Sequence, residues 1–363
     1  KMKKIKIIIL SLLIGLYFIE IYFFFYSNKI NRSNYYLKLK NNNNIYLSYY
    51  PRNVIGKNKN FLPLSNFSNS KIIDCYEKKN YFIFESDNYG FNNKNIQWKN
   101  ENINIILGDE VVLGSCLNKY NFSSLLSRKT SIINLSNRGA GPLTEFAILK
   151  EYAPLKNTKN VFWFLNMKND FLDLENEIRD NILKKYLSKK SFSQNLKYLG
   201  ESEKFREVKK STIEDEINMY KNSRKNRILG IITFNNARYY FKLKNKIVKM
   251  HNLDLQKEIK INIYLEIVDN TISYLKENNI NLYIVFTPLN IFYSNQKHII
   301  NKDMKSQIVN YLVSRNIKYI DLDVEILKKK IDKKNIFISD KPRSSFNETG
   351  HKFISDIIFK QLH

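Results

Sequence analysis

Three polar, glycine-containing segments each follow a short apolar run. Gly108-Asp109-Glu110 follows Ile103 to Leu107, Asn137-Arg138-Gly139-Ala140-Gly141 follows Ser131 to Leu135, and Asn166-Met167-Lys168-Asn169-Asp170 follows Val161 to Leu165. Polar, glycine-containing loops of this kind stand at the carboxyl ends of strands, where open parallel sheets bind their ligands. A carboxylate such as Glu110 could also attack as a nucleophile, as in glycosidases, but no second acid stands at a recognisable partner position. Asp109 and Glu110 are adjacent on one turn and lack further ligands for a metal. Two cysteines, Cys75 and Cys116, with no histidine at ligand spacing, exclude a structural zinc site. No metal and no cofactor is expected.

A fourth block stands near the C-terminus: Ser345-Phe346-Asn347-Glu348-Thr349-Gly350-His351. His351 falls inside the expected last helix, where a structural role is the simpler reading. His251, His298 and His363 have no partner pattern. Ser115 lies five residues beyond Glu110 and is followed by Cys116, so it reads as a poor substitute nucleophile.

The elements that must position these groups are legible from patterning. The buried-strand runs at 103–107, 131–135, 161–165, 280–286 and 317–322 alternate with helical stretches at about 117–128, 143–152, 256–277, 303–315 and 348–362. That alternation predicts a three-layer α/β/α sandwich around a parallel five-stranded sheet. From about 172 to 250 the alternation stops, and the charged, helix-prone sequence reads as a helical insertion between the third and fourth core strands. Residues 29–100 read as a tether and lead-in, with one strand at Tyr81 to Phe84 and a turn at Asp87 to Gly90, and residues 101–363 as the α/β domain.

The four blocks, in this order and on these elements, resemble the SGNH (GDSL-type) hydrolases. That family carries Gly-Asp-Ser after its first core strand, a glycine loop after the second, Asn-Asp after the third, and Asp-x-x-His near the C-terminus. Here the corresponding positions hold Gly108-Asp109-Glu110, Gly139, Asn169-Asp170 and Ser345, with Pro342 where the C-terminal Asp would stand. The resemblance implies oxyanion donation by Gly139 and Asn169. It also implies that the nucleophile position is occupied by Glu110 and the base position by Ser345. Both halves of the catalytic pair are replaced, and a carboxylate at 110 would repel the oxyanion. Cys75 to Trp98, including Ser86-Asp87-Asn88-Tyr89-Gly90-Phe91-Asn92, resembles the lead-in of a bacterial subgroup associated with surface polysaccharide. From this resemblance follow the expected partners: an acylated polysaccharide or a membrane acyltransferase. The alternative is an active O-acyl esterase or acyltransferase with a non-standard nucleophile. The resemblance to that subgroup extends to both cysteines, which together with an oxidising compartment implies a Cys75–Cys116 bond.

Residues 1–28 form the remaining segment. The run Ile7 to Tyr26 is interrupted only by Ser11, Gly15 and Glu20, and is preceded by Lys1, Lys3, Lys4 and Lys6. At about 1.5 Å per residue it is long enough for a bilayer core, and the flanking lysines favour a cytoplasmic N-terminus. It exits without a small-residue cleavage site. The expectation is a single-pass inner-membrane anchor with the domain facing the periplasm or exterior. Lys plus Arg total 60 against 34 acids, a formal charge of +26. No stretch interleaves arginine with aromatics, so nucleic acid is not expected as a partner.

Overall fold

A computed structural model describes residues 2–27, 32–39, 44–55, 60–77, 80–114, 117, 120–167, 169–199, 202–232, 254–288, 302–338 and 346–362. The chain runs through helices α1 (Met2–Ser27) and α2 (Arg32–Leu39), then strands β1 (Ile45–Leu47), β2 (Lys71–Glu77) and β3 (Asn80–Glu85). The core follows with β4 (Ile103–Leu107), α3 (Glu110–Leu113), α4 (Phe122–Leu126), β5 (Ile132–Asn134), α5 (Pro142–Tyr152) and β6 (Thr158–Leu165). Next come α6 (Asn169–Glu177), α7 (Asn181–Ser188), α8 (Leu196–Leu199), α9 (Glu203–Ile232) and α10 (Asp254–Lys276). The chain closes with β7 (Asn281–Phe286), α11 (Lys302–Ser314), β8 (Lys318–Asp321), α12 (Leu322–Lys328) and α13 (Glu348–Lys360).

The five core strands are all parallel, in the order β5-β4-β6-β7-β8. Their apolar runs are continuous because both faces are covered, and successive side chains are sent to opposite sides. Ile103, Ile105, Val161, Trp163 and Ile284 pack with residues of α5, α10 and α11. Ile106, Phe162, Phe164, Tyr283 and Val285 pack on the other face with Phe122 of α4, Ile326 of α12 and Ile354 of α13. The helix expected over 117–128 is shorter, α4 at Phe122–Leu126, and a separate short helix, α3, precedes it. Gly114 takes a positive φ of 137° after α3, and Asn121 caps α4 by accepting from Ser124 N at 2.9 Å. Between β6 and α10 every regular element among the described residues is a helix, as the charged composition predicts.

More of the lead-in is folded than a tether requires. β1 pairs parallel with β2, and β2 antiparallel with β3. This small sheet shares a core of Leu47, Phe67, Ile72 and Phe82 with Ile213 and Ile217 of α9. Sequence reading missed β1 because it is short, and β2 because Asp74 and the polar residues around it break its apolar pattern. The turn after β3 is organised by Asp87, only 1% exposed. Its carboxylate accepts from Tyr89 N and Phe91 N (both 2.9 Å), Asn93 Nδ2 (2.9 Å) and Trp98 Nε1 (2.8 Å). Gly90, at φ 88°, sits so close to Asn66 that an added Cβ would lie 2.1 Å from its carbonyl oxygen. Asn93 then bonds both the N–H and the carbonyl of Asn134, substituting for a strand at the β5 edge. Cys75 on β2 is disulfide-bonded. The chain's other cysteine, Cys116, lies outside the described residues.

The expected anchor forms one helix, α1, which packs against α9. Ile7, Leu10, Ile14, Phe18 and Tyr22 are exposed along it, whereas Glu20 is buried. Among the described residues no helix is long and apolar enough to cross a membrane.

Candidate functional site

In chain order the five core strands occupy the sheet as 2-1-3-4-5, so the winding reverses between β4 and β6. In open parallel sheets, ligands bind in the crevice outside the carboxyl ends at that reversal. The residues found there are those that the loop patterning singled out. Asp109, 2% exposed, follows β4. Its Oδ2 accepts from Asn169 Nδ2 at 3.2 Å and from Asn166 Nδ2 at 3.4 Å, both supplied by the loop after β6. That loop is locked by a reciprocal turn, in which Asp170 Oδ2 accepts from Asn166 N (2.6 Å) and Asp170 N donates to Asn166 O (3.1 Å).

Asn169 is fully engaged. Its Nδ2 donates also to Asp173 Oδ2 at 3.2 Å, so both amide hydrogens are held by carboxylates. Asp173 in turn accepts from Arg52 Nη1 at 3.4 Å. The Arg52 stem runs across Gly139, where an added Cβ would meet its Cδ and Nε at 3.1 Å; Gly139 itself sits at φ 69°. A chain of contacts thus joins Gly139, Arg52, Asp173, Asn169 and Asp109. Arg52 comes from the lead-in, beside Tyr50, whose ring lies 5.7 Å from the guanidinium carbon.

Beneath this surface lies a set of buried acids. Glu177 accepts from Gly141 N (2.7 Å) and Leu143 N (3.0 Å), capping the N-terminus of α5 from a different helix. Burial nevertheless pushes its carboxyl up to about 7, against those two donors. Glu145 accepts from Trp163 Nε1 at 2.6 Å. Burial, reinforced by the charges of Asp109, Glu177 and Asp173, holds it well above the usual carboxylate range. Asp170 is raised likewise, by burial and then by Asp109 and Glu145. Glu145 Oε1, Asp170 Oδ1 and the Tyr264 hydroxyl are buried without a hydrogen-bond partner among the described residues. Among the described residues no cluster of His, Cys, Asp and Glu is arranged to hold a metal ion. Their raised pKa values favour neutral, protonated carboxyls at Glu145 and Asp170, packed under a polar surface.

Of the residues singled out from the sequence, the structure brings Asp109, Asn169 and Gly139 together, and Glu110 is the first residue of α3, directly after Asp109. Ser345, Ser115, His251, His298 and His363 lie outside the described residues. Arg52, Asp173, Glu145 and Glu177 were missed. Part of the signal was present: Asp170, Asp173 and Glu177 fall at i, i+3 and i+7 on one helical face beside Phe171 and Leu174, an acidic stripe where an apolar one belongs.

His351 is structural. It is fully buried on α13, its Nδ1 accepts from Phe122 N at 3.2 Å, and its ring stacks on Phe122. Burial lowers its pKa from 6.5 to about 3. The unfolded chain therefore takes up a proton below about pH 6.5 that the folded chain refuses until about pH 3, and stability falls across that window as pH falls. From pH 7 to pH 5 this residue alone should remove about 2 kcal/mol. Urea unfolding at both pH values should show the unaltered chain losing that much more than His351→Leu. Equal losses would show that the buried imidazole does not set the acid limb.

No family model matches the chain, and no curated protein matches it. Among solved structures, the crystal structure of an acetyl xylan esterase is similar with a TM-score of 0.39 and 12% identity, over 72% of this chain and 100% of that one.

Proposed function

We propose that the chain is a membrane-anchored, SGNH hydrolase-like protein with an impaired catalytic site, which binds acylated cell-surface polysaccharide or serves the acyltransferase that modifies it. The observation that carries this reading is the state of Asn169. An oxyanion donor must have a free N–H directed at the reacting oxygen, and both hydrogens of this amide are spent on Asp109 and Asp173. An acyl oxyanion formed here would face those two carboxylates. The family resemblance adds that the nucleophile and base positions hold Glu110 and Ser345. Binding without turnover of an acetylated polysaccharide, followed by calorimetry and by acetate release on the same sample, tests this reading. Acetate release well above buffer would overturn the impaired-site reading.

The anchor rests on the apolar run at 7–26, the lysines before it and the row of exposed apolar side chains on α1. Protease added to intact spheroplasts is expected to digest the domain after about residue 30. Full protection, lost only on lysis, would place the domain on the other side.

A further inference from the structure

Beside the end of α3, where Asn92 bonds the Leu113 carbonyl, lies an open trough of about 830 Å³, within the range of preformed ligand sites. Ten of its sixteen described lining residues are amides or hydroxyls. Its wall includes Asn92, Gln97 and Asn100 from the segment after the Asp87 turn, and Ser123 and Ser124 from the first turn of α4. Ile96, 63% exposed, supplies an apolar patch among them.

The amides are held in a particular way. Asn92 Nδ2 donates to Leu113 O at 3.4 Å, which leaves its Oδ1 as an open acceptor. Gln97 Oε1 accepts from Lys94 N at 2.7 Å, which leaves Nε2 with two hydrogens to give. Asn100 is tied through its backbone carbonyl, which accepts from Asn157 Nδ2 at 3.3 Å, and its own amide stays available. Asn92 and Gln97 are each fixed at one end of the amide and open at the other, so little of their side-chain entropy remains to be lost on binding, and the Asn100 amide adds hydrogen-bonding capacity beside them. Leu113 closes α3, the helix that opens with Glu110, so this wall adjoins the candidate site.

We infer that this trough is a binding subsite for a neutral, polyhydroxylated chain, a pyranose oligosaccharide, that leads into the site at α3. Planar amides with one donor end and one acceptor end match vicinal hydroxyls, which both give and take hydrogen bonds. The exposed Ile96 matches the C–H face of a pyranose ring. Among the lining residues Lys94 and Arg128 are cationic and Glu85 is acidic, a formal balance of +1 set against ten amides and hydroxyls, whereas a nucleic acid or an anionic glycan calls for an unopposed row of cations. The inference rests on the polysaccharide reading above and adds to it the location and the charge class of the ligand.

The test titrates the purified full chain with three probes: acetylated xylo-oligosaccharide, the same oligosaccharide deacetylated, and an oligouronate of equal length. The two neutral probes should bind, and Gln97→Leu with Asn100→Leu should weaken them at least about tenfold, a loss of one to two hydrogen bonds. Asn100→Leu alone should account for part of that loss, with its unfolding midpoint at that of the unaltered chain. Neutral binding that ignores these substitutions overturns the trough while leaving the polysaccharide reading standing. Binding of the oligouronate in preference to the neutral probes does the same. No binding of any probe overturns both.

Discussion

The purified domain should hydrolyse 4-nitrophenyl acetate at a rate close to that of buffer. Loss of the nucleophile or the base in a serine hydrolase lowers turnover by on the order of 10⁴ to 10⁶, because the two act as one unit, and the residue of about 10³ over water belongs to the oxyanion donors and binding. By resemblance both members are replaced here, at Glu110 and Ser345. The residual also shrinks, because the Asn169 amide already serves two carboxylates. Asn169→Ala should therefore leave the low rate unchanged, whereas in a working oxyanion site it would remove roughly 10²-fold. A rate far above buffer that falls with Asn169→Ala would mean that Asn169 turns toward substrate during turnover and that another nucleophile is at work. The double variant Glu110→Ser, Ser345→His measures whether the rest of the family's machinery survives; any gain over the unaltered chain would show that it does.

Asp87→Ala should produce the largest loss of stability among single substitutions in the lead-in, about 4 kcal/mol. The carboxylate is buried, and four donors converge on it: two backbone N–H groups, the Asn93 amide and the Trp98 indole. Removing it leaves those donors without an acceptor and frees Asn93, whose amide closes the edge of β5. Burial raises the Asp87 pKa despite these donors. A neutral acceptor of the same shape should accordingly be tolerated better, and Asp87→Asn should lose only about half as much. The measurement is urea unfolding of the three proteins at pH 7. A shift below about 1 kcal/mol for the alanine variant would show that the turn is held by packing of Phe91 and Trp98 instead.

What could be read from the sequence was whatever depends on neighbours along the chain. The runs 103–107, 161–165 and 280–286 are continuous in apolar residues because both sheet faces are covered, so they announced buried parallel strands and were found as such. The polar loops after the first and second of these runs announced the candidate site for the same local reason, and Asp109 and Asn169 do meet. The amphipathic face of α6 carried its acids in plain view at 170, 173 and 177, but periodicity alone does not say what a face is turned toward.

What only the tertiary structure decided was which distant groups share a proton, a hydrogen bond or a charge. Arg52 lies far from Asp173 in sequence, yet the small sheet carries it across Gly139 to the crevice. Glu177 caps a helix that begins about 35 residues earlier, and Glu145 meets the indole of Trp163 on the neighbouring strand. Above all, the sequence presents Asn169 as an amide available for an oxyanion, while the fold spends both of its hydrogens on Asp109 and Asp173. Residue type sets what a group can donate or accept. The three-dimensional neighbourhood sets whether that capacity is still free, because a hydrogen satisfied within the fold is not available to a ligand without breaking a bond of comparable worth.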